Sequence, residues 1–166
     1  GTLEGLLTAP VKTWHVVLSK YFASYVTYLI LWIPAFFHFK LFTIITNVPP
    51  PFSSGELVGV FSILALMGAL FIAFGCLASC LTSSQIIAGV VCVGILFVHF
   101  LLGLITFFYG DQIDAAPFFS FISSREHLAT FSRGLIDTRP VIYYLTTTSF
   151  TLFITHHLLD YRRWKP

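Results

Sequence analysis

Few side chains within the apolar runs of this sequence are ionisable and could take part in catalysis. His99 stands in the middle of a long apolar run, and an ionisable residue inside a membrane span marks a candidate functional site. His156 and Asp160 lie near the end of the last apolar run. These three residues could serve an intramembrane enzyme, provided that the fold brings them into one pocket.

The remaining motifs argue against catalysis in this chain. Cys76 and Cys80 share a helix face, but no His or further Cys stands nearby in sequence to complete four metal ligands, so we interpret them as small buried hydrophobes. The sequence contains no G-x-x-x-x-G-K-[ST] phosphate loop and no G-x-S-x-G, H-E-x-x-H or C-x-x-C motif. We therefore predict no catalytic residue, no metal and no cofactor, and any ATP hydrolysis would take place in a partner subunit.

The composition is that of an integral membrane protein. Of the 166 residues, 57% are hydrophobic and 10% are charged, and the mean hydropathy is +0.88. Soluble domains carry about 25% charged residues. The net charge of +2 is too small, and the basic residues too dispersed, to indicate a nucleic-acid partner.

Four apolar runs are long enough to cross a hydrocarbon core, which takes about 20 residues. We predict an all-α integral membrane protein with a single transmembrane domain, 1–166, whose spans lie at 20–39, 56–80, 85–109 and 140–159. Small residues at i, i+4 spacing in the second span, Ala65, Ala69 and Ala73, predict a central helix that packs closely against its neighbours.

The connector 110–139 holds most of the charge and is too aromatic for a free loop. Ser123-x-x-Glu126 predicts a capping box, and Gly134 predicts a helix stop. The predicted apolar stripe is Leu128, Phe131 and Leu135. We expect a re-entrant or surface-lying segment and a short amphipathic helix at the outer membrane face.

The distribution of Lys and Arg predicts the orientation. Lys12 and Lys20 precede the first span, and Arg162, Arg163 and Lys165 follow the fourth. Both ends should therefore lie in the cytoplasm, with the chain in the cell membrane as a multi-pass protein. The connector would be outside, where Arg133 and Asp137 are four residues apart and could pair.

The segment 1–19 is an amphipathic cytoplasmic region. Leu3, Leu6 and Leu7 fall at i, i+3 and i+4, and Glu4 lies where the helix dipole favours an acid. Pro10 ends this short helix, and Thr13 could then cap the helix that runs into the first span. Its apolar face needs a surface, which is either the lipid bilayer or a groove on another protein.

Three blocks resemble the type-2 ABC transporter permeases. GTLEGLLTAPVKTWHVVLSKYFA is similar to the segment after the second span of that family, and LASCLTSSQIIAGVV to its turn between the fourth and fifth spans. SREHLATFSRGLIDTRPVIYYLTTTSFTLFITHHLLDYRRW is similar to the ending of its gliding-motility-associated and copper-processing-type branch. Ser19 departs from the usual Gly, and His127-Leu128 from the usual His-Phe.

The resemblance implies a C-terminal fragment that carries the last four spans of a six-span subunit. Such a permease works with a second permease subunit, as a homodimer or heterodimer, and with two cytosolic ABC ATPase subunits. Leu3, Glu4, Leu6, Leu7 and Pro10 would then belong to the ATPase-coupling helix, and the connector would close the outer end. The expected function is export by alternating access; the alternatives are a four-span membrane scaffold and an intramembrane enzyme.

Overall fold

The computed structural model describes residues 12–48, 52–109 and 114–164, which fold into helices joined by short turns. No strand occurs among these residues. The helices are α1 Thr13–Thr46, α2 Ser54–Leu81, α3 Gln85–Tyr109, α4 Ala116–Ile122, α5 Ser124–Phe131 and α6 Thr138–Trp164.

Three helices are long and apolar enough to cross a membrane, namely α1, α2 and the part of α3 over Gln85–Ile105. The chain is therefore an all-helical, multi-pass membrane protein. Helix α6 has a comparable length of 27 residues, but its threonines, its two histidines and the charges near its end lower its hydropathy. The prediction of four spans is thus confirmed for three helices only.

Helix α2 is the centre of the bundle and packs against α1, α3, α5 and α6. Its residues Ala69 and Ala73 are buried, and Ala73 contacts an apolar cluster formed by both ends of the chain, Val17, Tyr21, Leu152 and Leu159. The prediction that the small face of this span is its packing face is confirmed.

Tyrosine side chains attach α1 to α2. The hydroxyl of Tyr28 donates to the carbonyl oxygen of Leu64 at 2.9 Å, and that of Tyr25 donates to Ala65 at 3.2 Å. The ring of Tyr28 lies against Gly68, where any side chain would overlap it. Most of the remaining surface of α1 is exposed and apolar, as expected for a helix that faces lipid.

Two helix starts differ from the sequence-based expectation. Lys12, and not Thr13, is the N-cap of α1, and it makes no side-chain cap bond; the Thr13 hydroxyl instead donates to Asp160 Oδ1 at 2.6 Å. Ser53 and Glu56 form a reciprocal capping box at the start of α2, which was not predicted. Helix α1 also runs beyond both ends of the predicted span 20–39 and continues through Pro34.

The predicted coupling helix, with Leu3, Glu4, Leu6, Leu7 and Pro10, lies outside the described residues.

Candidate functional site: a polar network between the connector and the bundle

The connector consists of two short helices, α4 and α5, that fold back onto the bundle. Helix α4 packs against α3 and α6, and α5 packs against α2 and α3. The predicted capping box is half formed: Ser123 Oγ accepts from the backbone N–H of Glu126 at 3.4 Å, but the backbone N–H of Ser123 donates to the carbonyl oxygen of Ser120 and not to the Glu126 side chain. The segment expected at the membrane face thus forms one end of the packed bundle.

Ser123 also attaches this pair of helices to α3. Its hydroxyl donates to the carbonyl oxygen of Gly103 at 3.0 Å, and the residue is fully buried. Gly103 permits the approach, because a Cβ at that position would lie only 3.0 Å from Ser123 Cα. The connector and α3 are therefore in nearly direct backbone contact.

His99 hydrogen-bonds to the first residue of α5. Its Nε2 lies 3.0 Å from Ser124 Oγ, and its ring stacks on Tyr143 with 6.4 Å between centroids and 8° between planes. The side chain is 9% exposed. His99, the intramembrane residue that the sequence marks as a candidate, therefore joins α3 to α5 by a hydrogen bond and contacts α6 through its ring.

Tyr144 extends the network to a second histidine. Its hydroxyl donates to Ser124 Oγ at 3.1 Å, and His127 Nδ1 lies 3.3 Å from the same hydroxyl. If Tyr144 donates to Ser124, the network is satisfied when His127 Nδ1–H donates to Tyr144 and Ser124 donates to His99 Nε2. Two imidazoles are thus joined through two hydroxyls on three helices.

His127 lies in the connector and is almost fully buried. Burial lowers the pKa of its imidazole below the ordinary value of 6.5, and the nearby His99 lowers that pKa as well, whereas Asp137 acts in the opposite direction. A pKa below 6.5 leaves the imidazole mostly neutral at pH 7.

The end of α5 rests on α2 at a glycine. A Cβ at Gly59 would overlap the carbonyl oxygen of Phe131 and would lie 3.2 Å from its carbonyl carbon. Phe131 is fully buried and packs with Ile63, Leu70 and Tyr144. Gly134 adopts a φ of +74° in the turn that follows α5, as its prediction as a stop signal requires.

The buried face of α5 differs from the predicted stripe. His127 and Phe131 are buried, whereas Leu128 and Leu135 are exposed. The face of α5 that meets the bundle is therefore mixed: Phe131 enters an apolar cluster, and His127 lies within hydrogen-bond distance of the Tyr144 hydroxyl. A sequence signal for this existed in the spacing of His127 and Phe131, which places them on one helix face.

Arg133 and Asp137 form no ion pair in the described part of the chain. Asp137 Oδ1 instead accepts from the backbone N–H of Arg139 at 3.0 Å, just inside the start of α6. Arg133 is exposed after the end of α5. The predicted pairing fails because a helix does not connect the two residues, so four residues of separation do not place them on one face.

His156 and Asp160 lie far from His99. The ring of His156 contacts Trp14 with centroids 4.3 Å apart, and Asp160 binds Thr13. Tyr144, which marks the network on α6, is sixteen residues from Asp160, or about 24 Å along the helix. The structure does not bring the three residues of the enzyme hypothesis into one pocket.

Comparison of the chain with protein-family models, with curated proteins and with solved structures found no match.

The polar network of His99, Ser124, Tyr144 and His127 has a structural role that its geometry defines. It holds the connector against the bundle through hydrogen bonds, which can exchange partners more readily than an interdigitated apolar core. Among the described residues, no group of three or more His, Cys, Asp or Glu side chains could hold a metal ion.

Proposed function

We propose that this chain is the membrane-embedded permease subunit of an ATP-driven ABC-type exporter, and that α4 and α5 close the outer end of its pathway. The observation that carries the proposal is the folding of α4 and α5 back onto α2, α3 and α6. A gate must be seated in one state and released in another. The hydrogen bonds of Ser123, Ser124 and His127 can hold α4 and α5 against the bundle in one state and break in the other.

In this proposal α6 is the fourth span. Its 27 residues are about 40 Å long, which exceeds the hydrocarbon thickness of about 30 Å. Its buried threonines Thr151 and Thr155 donate to carbonyl oxygens four residues earlier, which reduces the cost of their hydroxyls in an apolar surrounding. Its outer side exposes large apolar side chains that lipid would cover: Ile142, Leu145, Phe150 and Phe153.

Both ends of the chain are proposed to lie in the cytoplasm. The hydrogen bond from Thr13 to Asp160 places the start of α1 beside the end of α6. The basic residues Lys12, Lys20 and Arg162 are near the same end, which favours the cytoplasmic side. Arg162 also donates to the carbonyl oxygen of Leu81, so the α2 end belongs to this side as well.

The amphipathic segment that precedes α1 would emerge at this side and dock on an ATPase. Two ATPase subunits and a second permease subunit complete the proposed assembly, which works by alternating access. Candidate substrates are lipids, polysaccharides, small hydrophobic compounds or proteins. The apolar spans offer no lattice of charges that selects one of these classes.

A site-specific photocrosslink tests the proposal. A photoreactive amino acid is placed at Leu6 in the complete protein in its native membrane, and Thr8, off the leucine stripe, serves as the matched control. We expect Leu6 to give an adduct with a subunit that contains a phosphate-binding loop and hydrolyses ATP, and Thr8 to give far less. The proposal would be contradicted if position 6 formed adducts with lipid only and no nucleotide-binding subunit co-purified with the protein.

A further inference from the structure

An apolar groove lies between α1 and α2 near the connector. It has a volume of about 260 Å³, and all but two of its lining residues are apolar. Aromatic pairs form its walls: the rings of Trp32 and Phe61 are 6.0 Å apart, and those of Phe39 and Phe52 are 5.0 Å apart. The polar network does not involve this groove.

The groove is polar at one end only. Glu56 and Ser132 lie among the lining residues at the end of α2 that adjoins the connector, whereas Leu64 lies two turns further along α2. Eight residues of helix separate Glu56 from Leu64, which corresponds to about 12 Å. Because α2 is a candidate membrane span that begins at Ser54, Glu56 is level with the membrane interface and Leu64 lies at hydrocarbon depth.

The Glu56 carboxylate has capacity for another partner. Its Oε2 accepts from the backbone N–H of Ser53 at 2.9 Å within the capping box. No Lys or Arg of the described chain forms an ion pair with it, and its Oε1 has no hydrogen bond there. An ionised carboxylate can accept about four hydrogen bonds, so a cation at the mouth of the groove would complete it.

We propose that this groove binds one acyl chain of an aminophospholipid from the surrounding bilayer, with the primary ammonium of its head group against Glu56. The gradient from a carboxylate at the interface to aromatic and aliphatic walls at depth matches an amphiphile that stands upright in the membrane. The groove lies between two candidate membrane spans, α1 and α2, so lipid of the surrounding bilayer can enter it from the side. This site is independent of the proposed transport function.

The experiment uses the complete protein in nanodiscs that contain phosphatidylethanolamine and phosphatidylglycerol in equal amounts. Each lipid is supplied in turn as a probe with a photoreactive group near the end of one acyl chain, and the labelled peptides are identified by mass spectrometry. We expect the phosphatidylethanolamine probe to label the stretch 57–64 more strongly than the phosphatidylglycerol probe does. Loss of one interfacial ion pair should reduce binding by about two- to fivefold.

Three variants separate the site from general lipid contact. Glu56→Gln should remove the preference for the amine while keeping the cap, since Gln can also accept from Ser53. Val60→Phe should fill the groove and reduce labelling by both probes. Val58→Phe adds the same volume on the exposed side of α2 and should leave the labelling unchanged.

If the two probes labelled 57–64 equally, and if Glu56→Gln did not change this labelling, only annular lipid would be present and the proposal would be wrong. Equal losses of labelling in Val60→Phe and Val58→Phe would exclude it as well. Crosslinking of the groove to a second protein chain, with no lipid adduct at 57–64, would also overturn it.

Discussion

The seating of α5 on α2 can be tested at Gly59. Substitution by Ala places a Cβ in overlap with the carbonyl oxygen of Phe131, and this atom belongs to backbone that cannot rotate away. The end of α5 must therefore shift outward. Overpacking of this kind costs about 1–3 kcal/mol, whereas the higher helix propensity of Ala returns about 0.5–1 kcal/mol.

We expect a net loss centred on about 1 kcal/mol in the stability of the seated connector, which corresponds to about a fivefold change in the equilibrium between seated and released states. Amide hydrogen exchange in nanodiscs, followed by mass spectrometry, measures this change for the peptide 124–131. Exchange of these amides should become faster in Gly59→Ala by the same factor.

Gly94→Ala provides the matched control, because nothing lies within 4 Å of the position that its Cβ would take. This variant should leave the exchange of 124–131 unchanged or slightly slower. If Gly59→Ala and Gly94→Ala gave the same exchange rates in this peptide, α5 would not rest on α2 and the inferred gate would have no seat there.

Three further outcomes follow from the same contacts. Because burial lowers the pKa of His127 in the seated connector, the released connector binds more protons as the pH falls below about 6.5. Exchange protection of 124–131 should therefore be full above that pH, decrease as the pH falls below it, and lose this dependence in His127→Gln. Ala69→Leu should lower the thermal unfolding midpoint through a cost of about 1–3 kcal/mol, whereas Val58→Leu on the exposed side should change it little; equal shifts would exclude the small face as the packing face. Tyr28→Phe removes the bond to Leu64 and should cost about 0.6 kcal/mol by thermal unfolding in nanodiscs, and an unchanged midpoint would show that this bond does not contribute.

The membrane helices could be predicted because their signal is local. Long runs of apolar residues define α1, α2 and α3, and the polar segment between Leu81 and Gln85 separates two of them clearly. For α6 the same criterion is weaker. Its threonines Thr151 and Thr155 donate to carbonyl oxygens of the same helix and His156 contacts Trp14, so these polar residues are accommodated in a packed helix but lower its hydropathy, which alone does not identify it as a span.

Caps and stops of the connector were also predictable, but its orientation was not. Ser123 and Gly134 act through residues close in sequence. The buried side of α5 faces Tyr144, a residue of another helix. An apolar stripe in the sequence therefore does not predict the buried face of a helix when the facing surface carries a hydroxyl group.

Thr13 illustrates the same limit at the other end of the bundle. Its type favours an N-cap, yet its hydroxyl binds Asp160, which is 147 residues away in sequence. His99 could be identified as a candidate because it lies in an apolar run. Its hydrogen-bond partner Ser124 could not, because the sequence pattern of the connector does not show that this segment folds back onto α3. Long-range polar contacts of this kind become visible only in the folded structure.

The central claim is that α6 completes a four-span bundle with both chain ends in the cytoplasm, where an ATPase can engage them. Its most direct test places single cysteines at Ser132 and at Tyr161 in a background in which Cys76, Cys80 and Cys92 are replaced by Ser. A membrane-impermeant maleimide is then added to intact cells. We predict that Ser132→Cys is labelled from outside and that Tyr161→Cys is labelled only after the membrane is permeabilised. Labelling of both positions from outside would show that α6 does not cross the membrane and would contradict the claim.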